Sequence, residues 1–269
     1  MENKEDLIGE GSHWCVKRIF IIEDGKEKTY VLKKSKNRSI VNVEKNLKNY
    51  GLIYSSGLPT LSRFTRAKNE TEIIEAEDLN PPDKCDGYFV SPNTVRGCPS
   101  YGSILMKFYS PNFDYETFQK TNDINSELKE YLKNPSKIIE NIEIRDTLIV
   151  KGAEGKVYSK KIIEIKNLND FLIEARDDMK KASEYNIELF FDAFFFRVKE
   201  SISHIEYKIA DFDCININQE EQIDKKELYI GNLEYLTTSL LEYIEYFVVK
   251  EKKEEYFGII KEFKNNYMS

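Results

Sequence analysis

Apolar and polar residues alternate near the start of the chain, which predicts a β-hairpin. The alternation covers residues 16–22 and returns over residues 29–34. Between these two runs lies Asp24-Gly25, a dipeptide typical of tight hairpin turns because both positions need a left-handed backbone. The first structural unit that the sequence predicts is therefore an antiparallel strand pair.

The apolar spacing then changes to that of a helix and changes back again. Apolar residues recur three and four positions apart over residues 40–52, and Ser39 is placed to cap this helix at its start. Alternation resumes over residues 61–77, with a turn near Lys68 and Asn69, which predicts a second hairpin.

A proline-rich break at residues 80–99 predicts a domain boundary. We expect one domain at residues 1–79, rich in strands, and a second at residues 80–269, mainly helical. The elements predicted beyond the break are helices at residues 114–132, 135–141 and 168–185, hairpins at residues 148–165 and 190–213, and a largely helical end at residues 227–263 that includes an amphipathic helix at residues 227–249. The predicted fold class is therefore α+β.

Composition narrows the chemistry that this fold could carry. The 269 residues include 40 Lys and Arg against 47 Asp and Glu, a net charge of −7, which argues against binding nucleic acid. Two His and four Cys without a CxxC pair disfavour a zinc site and a His-based catalytic triad. With these classes disfavoured, the composition is compatible with catalysis by lysine and carboxylate groups, or with binding without catalysis.

Neither a membrane span nor a signal peptide is predicted. No apolar run is long enough to cross a bilayer, and the start of the chain lacks a basic segment followed by an apolar one. We expect a cytoplasmic protein, or one secreted into a host cell by a route that the sequence does not display.

A glycine-rich segment stands in front of the first hairpin strand. Gly9 and Gly11 follow an apolar residue, and Val16 comes five positions after the second glycine. Glycines allow backbone N–H groups to approach phosphate oxygens closely. The segment resembles the loop that covers the phosphates in protein-kinase-like enzymes, with Trp14 in place of that family's third glycine. This resemblance implies that Gly9, Gly11, Ser12 and Val16 contact ATP.

Two further segments extend the resemblance in the family's order. Lys33 lies on the returning strand of the hairpin, on the same face as Val31, where the family carries its phosphate-binding lysine. An apolar strand ends in Asp211-Phe212-Asp213, which resembles the Asp-Phe-Gly motif with Asp213 in the glycine position. The resemblance implies that Asp211 binds the Mg²⁺ that bridges the phosphates. It also implies that Glu77, in an acidic hinge, lies beside the adenine.

The catalytic loop departs from the family pattern. Asp192 precedes a predicted strand and takes the place of the metal-binding Asn, so that Asp192 and Asp211 would hold Mg²⁺ together. The base position then falls on Ile187, and Glu188 is a substitute base. In the alternative alignment Asp192 is itself the base. The acidic partner expected for Lys33 is Glu44, in the helix that follows it.

The resemblance implies a bilobal protein-kinase-like fold with a small antiparallel β N-lobe, a mainly helical C-lobe, and ATP and Mg²⁺ between them. Only 58 residues follow Asp211 and no Ala-Pro-Glu motif is present, so the likeness is to compact bacterial effector kinases and small-molecule kinases. We expect an atypical kinase that transfers the ATP γ-phosphate to a protein or small-molecule hydroxyl. The alternative is a pseudokinase that binds a nucleotide or a partner without catalysis, and the C-terminal helices offer a surface for a protein partner.

Overall fold

Antiparallel strands and helices share the described part of the chain, which confirms the α+β class. The computed structural model describes residues 5–10, 14–35, 40–61, 65–75, 86, 87, 89, 91, 162, 164–217 and 224–268. The domain boundary predicted near residue 80, the helices predicted at residues 114–132 and 135–141, and most of the hairpin predicted at 148–165 lie outside these residues.

The N-terminal sheet has five antiparallel strands in the order β1-β2-β3-β5-β4. Its elements are β1 (Glu5–Glu10), β2 (Trp14–Glu23), β3 (Lys26–Ser35), helix α1 (Ile40–Ser56), β4 (Thr65–Asn69) and β5 (Glu72–Glu75). Asp24 and Gly25 connect β2 and β3, and both have positive φ angles, 52° and 72°. Asp and Gly tolerate this conformation, so the predicted hairpin is confirmed together with its turn.

Each face of the N-terminal sheet buries its own apolar cluster. On one face, Trp14 of β2 and Ile73 of β5 pack against Val43 of α1. The other face buries Ile19, Tyr30, Leu32 and Ile74. The period of two along each strand divides these residues between the faces, and α1 covers the face that also carries Lys33.

The C-terminal part combines three helices with two short strand pairs. Its elements are α2 (Leu168–Glu184), β6 (Ile187–Leu189), β7 (Phe194–Lys199), β8 (His204–Ile209), β9 (Ile215–Ile217), α3 (Lys225–Phe247) and α4 (Lys250–Tyr267). Strand β6 pairs with β9 and β7 pairs with β8, both antiparallel. A first 3₁₀ turn (Phe191–Ala193) precedes β7, and a second (Phe212–Cys214) follows β8. The hairpin predicted at 190–213 and the helix predicted at 168–185 are confirmed.

The largely helical end predicted at residues 227–263 is confirmed and consists of two helices, α3 and α4, the first of which matches the amphipathic helix predicted at residues 227–249. Val248 and Val249 separate them in extended conformation. Val248 forms a parallel bridge with Ile162, and the Val249 N–H donates to the Ile162 carbonyl at 3.0 Å. The Ile162 N–H in turn donates to the Phe247 carbonyl at 2.7 Å, so a distant segment is hydrogen-bonded to the junction between the two helices.

One large core connects α1 to the C-terminal helices. Phe194 and Phe196 of β7 are fully buried in it, as are Leu236 and Leu240 of α3. Tyr50 and Ile53 of α1 belong to the same cluster, and the Tyr50 ring packs edge-on against Phe212 at a centroid distance of 5.3 Å. Burial of a Phe side chain contributes about 2–3 kcal/mol, so this packing fixes the second 3₁₀ turn beneath α1.

None of the helices in the described residues is long and apolar enough to cross a membrane.

Candidate functional site

Strand pairing brings three of the predicted site residues into one row across the N-terminal sheet. Gly9 of β1 is opposite Val16 of β2, which is opposite Lys33 of β3. Directly opposed residues of antiparallel strands project from the same face. Val16 and Lys33 therefore share the face that α1 covers. Gly11, Ser12 and Glu77 lie outside the described residues.

Lys33 forms a buried ion pair with Glu75 of β5. Its Nζ lies 3.0 Å from Glu75 Oε1, and the two side chains are 12% and 5% exposed. The Lys33 ammonium also donates to the Ala210 carbonyl at 3.4 Å. Burial opposes the charge on Lys33, but the carboxylates of Glu75 and Asp211 more than compensate and raise its pKa. Lys33 is therefore a charged, oriented group at neutral pH.

The expected pairing of Lys33 with Glu44 is wrong. Glu44 lies on the exposed side of α1, whereas its neighbour Val43 turns toward the sheet. Lys33 is directly opposite Ile73, so Glu75 stands on the diagonal of the same face, within reach of a long side chain. The acidic partner therefore comes from a neighbouring strand rather than from the following helix.

Asp211 is placed by the buried strand β8, which ends at Ile209 just before it. Burial is the largest influence on this carboxyl group and raises its pKa. Lys33 lowers the pKa of Asp211, whereas Asp192 and Asp213 raise it further. The site thus holds several carboxylates in mutual repulsion around a single ammonium group, an arrangement that a bound cation would relieve.

Asp192 and Asp211 meet at one cysteine. The Ala210 N–H donates to the Ala193 carbonyl at 3.1 Å, which joins the two 3₁₀ turns. Cys214 Sγ lies 3.8 Å from Asp192 Oδ2 and also 3.8 Å from Asp211 Oδ2. Burial, together with the two carboxylates, raises the pKa of the Cys214 thiol. The thiol therefore stays protonated and donates to the carboxylates.

The two carboxylates fit a Mg²⁺ ion that is completed by phosphate and water. Mg²⁺ prefers oxygen ligands and commonly takes one or two carboxylates together with substrate phosphates. Among the described residues, no group of three or more His, Cys, Asp or Glu side chains is placed to hold a metal by itself. Asp192 and Asp211 would therefore act as a partial ligand set.

The structure gives Glu188, the predicted substitute base, a different neighbour. Asn216 of β9 donates to Glu188 Oε2 at 3.3 Å. Ile187, in the position that the resemblance assigns to the base, is 1% exposed and belongs to the core. Because β6 alternates, Ile187 and Leu189 face the core and Glu188 projects from the other side. The described contacts do not bring Glu188 to Asp192 or Asp211.

Sequence reasoning missed a second set of polar contacts, between α1 and the second 3₁₀ turn. Asn49 Nδ2 donates to the carbonyls of Phe212 at 2.8 Å and Ile215 at 3.0 Å. Asn46 Nδ2 donates to Asp213 Oδ1 at 3.4 Å. Two asparagines three positions apart on one helix face are the signal that could have found these contacts, since Asn is a poor helix former.

The Trp14 indole N–H donates to Asp213 Oδ2. Asp213 therefore accepts hydrogen bonds from both β2 and α1. Both residues appeared in the sequence only as substitutes for glycines, and no local pattern connects them.

Backbone contacts hold the strands beneath the site. Thr60 Oγ1 donates to the Ile209 carbonyl at 2.8 Å, and the Ile209 N–H donates to the Pro59 carbonyl at 2.9 Å. The fully buried Asn232 of α3 accepts from the Leu189 N–H and donates to the Ile187 carbonyl, both at 2.8 Å. Polar groups that would otherwise be buried unpaired are thus satisfied.

Comparison with known proteins includes a weak structural likeness. No protein-family model matches the chain, and no curated protein matches its sequence. One similar solved structure is the Shewanella oneidensis MR-1 toxin–antitoxin system HipA and HipB with its operator DNA, at 11% identity and a TM-score of 0.31. The match covers 97% of this chain and 65% of the matched chain, so this chain spans slightly less than two thirds of that one. Similarity at this level assigns neither a family nor an activity.

Proposed function

We propose that the protein is an atypical, protein-kinase-like phosphotransferase that transfers the γ-phosphate of ATP to a hydroxyl group of a protein or small molecule. The observation that carries the proposal is the meeting of Lys33, Asp211 and Asp192. Lys33 donates to the backbone immediately before Asp211, and Cys214 lies at the same 3.8 Å from Asp211 and Asp192. An oriented ammonium group beside two carboxylates is what phosphate and Mg²⁺ binding require.

Each group has a defined task in this proposal. Lys33, held by Glu75, would bind phosphate oxygens of ATP, and Asp211 and Asp192 would hold Mg²⁺. A bound Mg²⁺ would neutralise the charge that develops on the transferring phosphoryl group. Gly9, which is opposite Val16 in the sheet, would begin the segment that covers the phosphates. Positioning and charge stabilisation supply most of the catalysis in phosphoryl transfer, so the assignment does not depend on a strong base.

Asp192 could serve as a metal ligand or as the general base, and one carboxylate cannot serve as both in a single phosphoryl transfer. As a metal ligand it would act with Asp211, and as a base it would accept the proton of the substrate hydroxyl. Its shared contact with Cys214 favours the first task, since the same sulfur lies 3.8 Å from an oxygen of each carboxylate. In that assignment Asp192→Asn retains one oxygen ligand and weakens Mg²⁺ binding. In the other, it lowers the transfer rate and leaves Mg²⁺ binding unchanged.

A second candidate function is nucleotide binding without transfer, as in a pseudokinase. It is favoured by the burial of Ile187 in the base position and by the contact of Glu188 with Asn216. The binding site would be the same as for the kinase, so the two functions differ only in turnover.

The test measures binding and transfer separately. In a thermal-shift assay, we expect ATP with Mg²⁺ to stabilise the protein, by about 2.7 kcal/mol when ATP is a hundredfold above Kd. Asp211→Asn should abolish the Mg²⁺-dependent part. Asp24→Asn is the matched control, because Asp24 is an exposed turn residue with a positive φ that Asn adopts equally well.

Transfer is followed with γ-labelled ATP, using the protein itself and casein as acceptors. Label on an acceptor supports the kinase, and binding without label supports the second candidate. Label from α-labelled ATP would instead indicate transfer of AMP. If ATP with Mg²⁺ stabilises neither the wild type nor the Asp24→Asn control, both candidate functions are wrong.

A further inference from the structure

Two departures from the glycine patterns of protein-kinase-like enzymes meet in space. Trp14 takes the place of the third glycine of the phosphate-covering segment, and Asp213 takes the place of the glycine after Asp-Phe. The two residues are 199 positions apart, and the Trp14 indole N–H donates to Asp213 Oδ2. The two residues that replace the family's glycines are therefore hydrogen-bond partners of each other.

Both side chains are fixed by their surroundings. Trp14 is 6% exposed and packs with Val43 of α1 and Ile73 of β5. Asp213 accepts a further hydrogen bond from the buried Asn46 of α1. A hydrogen bond between a neutral donor and a carboxylate in a partly buried setting is stronger than one between neutral groups. The contact thus joins three elements at one point: β2, α1 and the second 3₁₀ turn.

This contact lies one turn from the metal-binding side chain. The Cys214 N–H donates to the Asp211 carbonyl at 3.1 Å, so residues 211–214 form one hydrogen-bonded turn. On its other side, Asp211 follows Ala210, whose carbonyl accepts from Lys33. The N-terminal sheet therefore holds Asp211 on both flanks, through Lys33 before it and through Trp14 after it.

We infer that the hydrogen bond between Trp14 and Asp213 is a clamp that positions Asp211 for Mg²⁺. This role rests on the proposed function. A glycine in position 213 would leave the backbone after Asp211 free to rotate, whereas an anchored Asp restricts it. Because Trp14 begins the strand that follows the glycine-rich segment, the clamp also couples that segment to the metal site. Trp14 and Asp213 are positioning residues, and neither touches the reacting atoms.

A purely structural role would have a different signature from a positioning role. If the contact only stabilised the fold, its loss would weaken ATP binding equally with and without Mg²⁺, or leave both unchanged. If it positions Asp211, its loss weakens only the Mg²⁺-dependent binding, because Lys33 and the sheet remain able to bind the nucleotide alone.

The experiment compares Trp14→Phe, Asp213→Asn and the double variant, with Asp24→Asn as the control. Trp14→Phe keeps an aromatic ring but removes the donor, and Asp213→Asn removes the charge of the acceptor. ATP affinity is measured by calorimetry in Mg²⁺ and in EDTA. We expect each single variant to weaken binding about tenfold in Mg²⁺ and not in EDTA. The double variant should bind no more weakly than Trp14→Phe, because Trp14→Phe removes the contact that Asp213→Asn weakens.

Fluorescence supplies a readout that is independent of nucleotide. Trp14 is the only tryptophan of the chain, so all indole emission reports on this contact. Asp213→Asn should change the emission maximum of the free protein, whereas Asp24→Asn should not. Circular dichroism establishes which variants fold. Trp14→Phe removes the contact at the donor and Asp213→Asn weakens it at the acceptor, so a folded variant of either kind tests it.

The outcomes separate the clamp from the proposed function. If the wild type binds ATP with Mg²⁺ and both single variants bind equally well, the clamp is overturned and the proposed function stands. Equal weakening in Mg²⁺ and EDTA likewise overturns it. If the wild type binds no ATP, the proposed function is wrong, and the positioning role is wrong with it.

Discussion

Lys33 derives its charge state from two carboxylates on different parts of the chain. Glu75 lies beside it on the adjacent strand, and Asp211 approaches from the end of β8. A buried charge that loses its partner is costly, whereas replacing both charged partners removes most of that cost. The contribution of the pair to stability can therefore be measured separately from the phosphate-binding role that we propose for Lys33.

Removing the ammonium group alone should be strongly destabilising. Lys33→Met removes the ion-pair partner of the buried Glu75 carboxylate, and we expect a loss of about 3 kcal/mol in the free energy of unfolding. Adding Glu75→Gln should recover part of this loss without restoring ATP binding. Urea unfolding measures the first effect and calorimetry the second. The control is Lys34→Met, whose side chain is 58% exposed and should cost little. Equal losses in the single and double variants would contradict the prediction.

Asp211 should lower the stability of the free protein at neutral pH. Burial raises its pKa above the ordinary value of 3.8, so the folded state binds its proton more tightly than the unfolded state does. The stabilising contribution of the protonated Asp211 carboxyl group is complete at pH values below the pKa of this group in the unfolded state. It is lost as pH rises through the pKa of the group in the folded state.

Asp211→Asn should therefore raise the urea midpoint relative to the wild type at pH 7. The difference should shrink as pH falls toward 3.8. Unfolding curves for both proteins, collected between pH 7 and pH 4 without Mg²⁺ or nucleotide, measure this difference. A wild type that is the more stable protein at pH 7 would show that the pairing with Lys33 outweighs burial.

At the scale of single elements, local pattern and local structure agree closely. The β2–β3 hairpin, helix α1, the β7–β8 hairpin and helix α2 form where the sequence predicts them, because turn residues and apolar spacing are local properties. The end of α3 is in addition joined to a distant segment, because Ile162 pairs with Val248. That pairing depends on a residue 86 positions away and is invisible to a local pattern.

Replacement of Gly25 by Ala should destabilise the protein, whereas replacement of Gly51 by Ala should stabilise it. Gly25 has a φ of +72° in the β2–β3 turn, and Gly51 lies inside α1; a Cβ would meet nothing within 4 Å at either position. Gly25→Ala should cost about 1–2 kcal/mol, because an L-residue is strained in the left-handed region. Gly51→Ala should stabilise by up to about 1 kcal/mol through helix propensity.

Urea unfolding of the two variants and the wild type measures both effects under one set of conditions. Each variant is the other's control, since the change in side chain is the same. Shifts of the same sign would show that the backbone conformation does not decide the outcome.

At the scale of the whole molecule, contacts from α1 and the N-terminal sheet converge on the second 3₁₀ turn. Asn49 and Asn46 of α1 and Trp14 of β2 hydrogen-bond to this turn. Lys33 of β3 donates to the Ala210 carbonyl, two residues before the turn begins. The apolar core continues through the same place, because Tyr50 packs on Phe212. Elements tied in this way should unfold together.

We therefore expect one cooperative unfolding transition. Trp14 fluorescence reports on β2, and circular dichroism at 222 nm reports on the helices, most of which follow residue 164 in the described part of the chain. The two probes should give the same urea midpoint. A fluorescence transition at lower urea would show that the N-terminal sheet separates before the helices unfold.

The sequence by itself determined the α+β class and the local elements, and it singled out Lys33, Asp192 and Asp211 as candidate site residues. These follow from side-chain type and from spacing over a few residues. Only the tertiary structure decided which groups meet. Glu75 displaces Glu44 as the partner of Lys33, Glu188 contacts Asn216, and Trp14 contacts Asp213. The reason is physical: strand pairing and helix docking join residues up to 199 positions apart, and no short-range periodicity encodes such a contact.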